Sequence, residues 1–224
     1  MGYSTLIDIL GAMIIGGLLF LISMSAMDSG LERFVNQNAD AIVQNQIAEM
    51  SDIVQYDLRK MGYGVPEASI PNVIQVGTSN RLKFLTHLNR ENPFEGVGGT
   101  DNVADTIEYQ VIASDTISFI DTSIYLYRVN RTVSVSGHAV ESRMIGKVAS
   151  PAVFRYLDQV GNPVGSIAGT KMIEVSLMAL NPDIYLNEAV IAAAGPTERM
   201  RELRRLLRES YWRQTRVVSK NLRR

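Results

Sequence analysis

From its start to Met61 this chain reads as one unbroken helical signal, apolar in front and amphipathic behind, and few architectures accommodate such a start. Ile9 to Met27 is a run of 19 residues without a charge, ILGAMIIGGLLFLISMSAM. At about 1.5 Å rise per residue it spans roughly 28 Å, close to the ~30 Å apolar core of a bilayer. An apolar stripe then continues through Leu31, Phe34, Val35, Ala39, Ile42, Val43, Ile47, Met50, Ile53, Val54, Leu58 and Met61. Steps of three and four keep those residues on one side of a helix. Gly62, Gly64 and Pro66 supply the stop. The expectation is a membrane anchor over residues 9–27, a helical stalk behind it, and a globular domain after Gly62.

Other readings of the start fit less well. A cleaved secretory signal has a basic front, a shorter apolar run and a small-residue cleavage site. Residues 1–8 hold no Lys or Arg, and no A-x-A pattern follows the run. Myristoylation requires Ser or Thr at the sixth position, where this chain has Leu6. A buried core helix rarely carries a charge-free run of this length.

Of the 224 residues, 1–62 are assigned to anchor and stalk and 63–224 to one ordinary head domain, with a helical insertion near 184–210. The absence of Cys removes disulfides and thiolate metal sites from consideration. Net charge is −1 but unevenly spread: residues 197–224 carry ten Lys/Arg against three Glu, +7, which leaves −8 for residues 1–196. After the apolar run, residues 28–61 hold Arg33, Arg59 and Lys60 against Asp28, Glu32, Asp40, Glu49, Asp52 and Asp57. That is a poor cytoplasmic flank, so the head is expected outside the cytoplasm, with the anchor in the cytoplasmic membrane.

Beyond the stalk the pattern changes to strands. Arg81–Leu88, Thr106–Ile112, Thr116–Ile120, Ser123–Val129, Thr132–Val135, Phe154–Asp158 and Met172–Ala179 are rich in β-branched and aromatic residues. Gly62–Asn80 and Asn89–Asp105 read as loops. The fold class is therefore α+β: a long N-terminal helix covering a meandering antiparallel sheet, with an extra C-terminal helix. Pro182 interrupts the strand pattern, and Ile184–Ala194 is apolar and of undetermined type. Thr197 is the expected N-cap of a helix striped by Met200, Leu203, Leu206 and Leu207. Tyr211–Ser219 returns to strand composition.

The sequence carries no recognisable catalytic constellation. His87 and His138 are 51 residues apart, neither at metal-ligand spacing, and both read as surface strand or loop residues. No nucleophile elbow, Walker A or three-glycine dinucleotide motif occurs, and nothing marks a cofactor or small-molecule substrate. Glu95, Asp101, Asn102 and Asp105 sit in a glycine-rich loop whose oxygens suit Ca²⁺, although EF-hand spacing is absent.

Thr5-Leu6-Ile7-Asp8 resembles the T-L-[IV]-E that opens type IV pilins and pseudopilins before their hydrophobic helix. Asp57-Leu58-Arg59-Lys60-Met61-Gly62-Tyr63-Gly64 resembles the helix-ending signature of their minor subunits. Val148–Gly161 is similar to the strand and turn of those subunits, and Lys220-Asn221-Leu222 to their R-N-L ending. The likeness is to the type IV pilin-like superfamily, nearest its larger minor pilins and the J-type minor pseudopilin of type II secretion. It implies a structural filament subunit, trimmed by a prepilin peptidase, N-methylated, and packed against other pilin-like subunits through its N-terminal helix. It implies processing around Gly2, Tyr3 and Ser4; counted from Ser4, Asp8 is the fifth residue. Asp8 would then neutralise a neighbour's N-terminal amine. A carboxylate deep in lipid costs about 2.5–3.5 kcal/mol on insertion scales, so a partner for it makes physical sense.

The remaining candidates follow from this frame. Gly11, Gly16 and Gly17 permit close helix approach or local melting in a filament. Leu31, Phe34, Val35 and Ile42 are expected to lack an intramolecular partner and to bury against other subunits, whereas the stripe from about Met50 covers the head's own sheet. Arg199, Arg201, Arg204, Arg205, Arg208, Arg213 and Arg216 form a basic interaction face. Its reading is pairing with the acidic remainder of neighbouring subunits, with nucleic acid as the alternative because Trp212 interleaves. The competing function is a single-span sensor or tether with an outer binding domain.

Overall fold

The computed structural model describes residues 2–65, 73–88, 104–120, 122–182, 184 and 188–218, with the side chains at 2–8, 188 and 190 outside that description. The candidates Gly2, Tyr3, Ser4 and Asp8 are thus described in backbone only. Most of the 95–105 loop, Pro66 and the 220–222 ending lie outside the described residues.

A single helix, α1, runs Gly2–Lys60. It ends where Gly62 and Gly64 take positive φ of 70° and 66°, a conformation that a β-carbon disfavours. Two compact units divide the chain, residues 1–42 and 43–224.

In the second unit, five strands form one antiparallel meander in sequence order: β1 (Ile74–Thr78), β2 (Arg81–Thr86), β3 (Asp105–Ser118), β4 (Ser123–Ser134) and β5 (Glu141–Val148). β6 (Phe154–Leu157), β7 (Met172–Ala179) and β8 (Tyr211–Val217) form a second antiparallel sheet. Between β7 and β8 lie α2 (Glu188–Ala193) and α3 (Pro196–Arg208). The α+β architecture of a long helix packed on antiparallel strands is as expected; the single sheet is replaced by two.

Alternation explains the packing. Leu82 and Phe84 on β2, Ile107, Tyr109 and Val111 on β3, and Val129 and Val133 on β4 all point inward. They meet Ile47, Met50, Val54, Leu58 and Met61 from the rear of α1, together with Phe154, Ile173 and Val175 of the second sheet. A smaller cluster gathers Ile117, Phe119, Leu126, Leu180, Ile184, Ile191, Leu203 and Leu206 beneath α2 and α3.

Several boundaries differ from the sequence reading. Thr106–Ile112 and Thr116–Ile120 are one strand, joined through a bulge between Ala113 and Asp115 where the side chains from Ala113 to Thr116 are exposed. Likewise Ser123–Val129 and Thr132–Val135 merge into β4. β1 lies inside the segment read as a loop, and β5 was not anticipated at all. Helix α3 begins at Pro196, with Gly195 rather than Thr197 at its cap and no side-chain capping bond. The fixed φ of proline suits the first helical position, which moves the cap two residues back, from Thr197 to Gly195.

Candidate assembly surface

The front of α1 is long and apolar enough to cross a membrane, and its 18-residue apolar window has no buried residue. Ile14, Leu18, Phe20 and Ile22 are exposed. Around Gly11, Gly16 and Gly17 the space is open: a β-carbon placed there meets no heavy atom within 4 Å. Past the length that a bilayer needs, Leu31, Phe34, Val35 and Ile42 remain exposed, Phe34 at 63%. Core residues come further along, with Val43 half-buried and Ile47 and Met50 in the core. Contiguous exposed apolar surface of this kind marks a membrane or protein contact.

The seven candidate arginines do not share one face. Arg199 is 3% exposed and belongs to the interior: its guanidinium donates to the carbonyl oxygens of Ile191, Ala192 and Ala194, at 3.2, 2.9 and 2.6 Å. These are carbonyls in and just after α2, so Arg199 caps that helix end. Arg205 is exposed but engaged within its own helix, paired with Glu202 and, at 3.0 Å, with Glu209. Hydrogen bonding to Glu202 raises its pKa further. Arg213 lies 3.6 Å from Asp52 on α1. Arg216 and Arg155 clamp Glu174, at 2.7 and 3.1 Å, from the two strands flanking β7. Glu174 is 0% exposed; desolvation pushes its carboxyl up, but hydrogen bonds from Arg216 and Gln214 outweigh that and hold it below its ordinary value. Arg201, Arg204 and Arg208 alone remain as an exposed basic ridge on α3.

Stalk and head are joined by a buried ionic cluster. Asp57, 1% exposed, accepts hydrogen bonds from Arg131 Nε at 2.5 Å and Nη2 at 3.0 Å, and from the Tyr109 hydroxyl. Burial and then the Asp57 charge push the Tyr109 hydroxyl well above its ordinary pKa. Burial would lower Arg131, but the hydrogen bond and charge of Asp57 leave it raised. The result is a fixed charge pair with a neutral phenol, suited to orienting one element on another rather than to proton transfer. Sequence reasoning reached Asp57 only through a motif and missed Tyr109 and Arg131. The available signal was phase: Val129-x-Arg131-x-Val133 puts an arginine on the inward side of a strand.

His87 is also corrected: it is buried, its backbone N–H bound to Tyr63 O at 3.0 Å and its ring against Gly64 at the end of α1. His138 is exposed. Among the described residues, no group of three or more His, Cys, Asp or Glu is placed to hold a metal.

No protein-family model, no curated protein and no solved structure matches this chain.

Proposed function

We propose that this chain is a non-enzymatic structural subunit of a type IV pilus-like or type II secretion-like filament, a minor or tip-initiating subunit assembling through α1. In this reading the anchor resides in the cytoplasmic membrane before assembly, and the head lies on its outer side. The observation that carries it is the exposed stripe Leu31–Phe34–Val35–Ile42. A span needs about 20 residues, which residues 9–27 supply. A simple tether has no use for roughly four further turns of apolar helix in water, whereas a bundle of α1 helices from several subunits buries both stretches together.

The test is intact mass and N-terminal sequencing of the chain recovered from membrane and sheared-filament fractions of its native cell. The expected result is an N-methylated start at Tyr3 or Ser4, with Asp8→Ala lost from the filament fraction but retained in membranes. An untrimmed chain confined to membranes, indifferent to Asp8→Ala, overturns the reading in favour of a sensor or tether.

A further inference from the structure

The exposed ridge of α3 has a complement elsewhere in the same sequence. Among the described residues Arg201, Arg204 and Arg208 form no salt bridge, and neither do Asp28 and Glu32 on the front of α1. Both carboxylates are exposed, as are Leu31 and Val35 beside them. Arg33, the one basic residue nearby, is turned about 100° away from Glu32 round the helix.

The order of side chains round the two helices matches. At about 100° per residue, α3 presents Leu207, Met200, Arg204, Arg208 and Arg201 in sequence, the first two half-buried and the arginines exposed. In the same rotational sense α1 presents Leu31, Val35, Asp28 and Glu32. Facing helices that run parallel would set the apolar edge of one against the charged edge of the other. Antiparallel helices set apolar against apolar and charge against charge. Arg204–Arg208 and Asp28–Glu32 both have four-residue spacing, a rise of about 6 Å, so both pairs close in a single register. In that register Met200 falls beside Val35 and Leu207 beside Leu31.

We propose that α3 docks antiparallel on the α1 helix of a second copy of this chain, Arg204 on Glu32 and Arg208 on Asp28, with Met200 and Leu207 covering Val35 and Leu31. The proposal rests on the filament reading and gives it a specific lateral contact. A guanidinium takes a carboxylate in a two-point grip, which adds register to attraction. A protein partner is favoured over nucleic acid because the trough along this ridge is lined by Thr197, Met200, arginines and Glu209, with no aromatic ring to stack a base. Trp212 lines a different recess, beside Gln44 and Asn45.

The chain has no Cys, so introduced thiols report without background. Full-length copies carrying Leu207→Cys are mixed in detergent micelles with copies carrying Leu31→Cys, and treated with a short bismaleimide. Cross-linked heterodimer is expected. With Arg204→Glu and Arg208→Glu in the first partner its yield falls about tenfold, the loss of two exposed charge pairs. Adding Asp28→Arg and Glu32→Arg to the second partner restores it. Yield indifferent to charge reversal, or equal cross-linking of Leu31→Cys with Met200→Cys, overturns the docking. So does binding of a single-stranded oligonucleotide that these arginine changes abolish while no 207–31 product forms. Phe34→Cys copies, linked through α1 alone, keep the two readings apart: if they cross-link while 207–31 does not, the filament reading stands and the docking fails.

Discussion

Arg131 shows how far a single residue departs from its type. Arginine is almost never fully buried unless paired, yet its side chain is 2% exposed because Asp57 arrives from α1 to meet it. Removing one partner of such a pair strands the other charge, typically at about 3–5 kcal/mol, while replacing both with apolar groups is far milder. Arg131→Met or Asp57→Asn alone is therefore expected to lower the urea midpoint steeply. Arg131→Met combined with Asp57→Leu should recover most of the loss. Tyr109 adds a pH signature. Its folded pKa lies above the ordinary 10.0, so above pH 10 the unfolded chain releases a proton that the folded chain keeps. Stability must then fall as pH rises through that point. Unfolding midpoints followed past pH 10 should show this decline in the parent and a flatter limb in Tyr109→Phe. Composition lent all seven candidate arginines one meaning. Arg199 is a helix cap and Arg216 half of a clamp because burial and nearby oxygens, not residue type, assign the role.

At the scale of elements, legibility followed local signal strength. Met172–Ala179 was read to the residue, since its β-branched and apolar run is bounded by turn residues on both sides. β5, ESRMIGKV, carries mostly exposed side chains and no alternation; it is a strand because β4 pairs with it. β1 was hidden by its length of five residues and its Gly77. The bulge at Ala113–Asp115 split one long strand into two apparent ones, because the side chains from Ala113 to Thr116 are exposed and interrupt the alternation. Where elements pack, Gly146 on β5 leaves the space that the buried Met50 side chain of α1 fills. A β-carbon there would run into Met50, 2.8 Å from its Cγ and nearer still to its sulfur. Gly146→Ala should cost about 1–3 kcal/mol by overpacking. Met50→Ala in that background should cost less than Met50→Ala alone, a coupling that a double-mutant cycle of chemical denaturation would measure.

The whole molecule separates folding from association. The core that holds residues 43–224 draws on α1 only from Ile47 onward, with Val43 packed at its edge. The front of the helix contributes nothing to that core. Ile42→Asp and Phe34→Asp should leave the thermal midpoint of the head nearly unchanged, within about 0.5 kcal/mol, as surface substitutions do. The same variants should abolish association of full-length chains in micelles, followed by sedimentation. A matched loss of head stability would place those side chains in the core and contradict the division of labour.

What the sequence alone determined is whatever rests on near-neighbour periodicity: a helix ending near Met61, its uncharged front, a strand-rich head and a basic C-terminal segment. The helix and the strands show as repeats of three and four or of two, the uncharged front and the basic segment as runs of local composition, all visible within a short window. The tertiary structure alone decided that the strands divide into two sheets, that Asp57 meets Tyr109 and Arg131 across 52 and 74 residues, and that Arg199 turns inward while Arg204 and Arg208 stay out. Those outcomes depend on which distant segments approach one another, and on burial making each polar group find a partner. No local pattern carries that information.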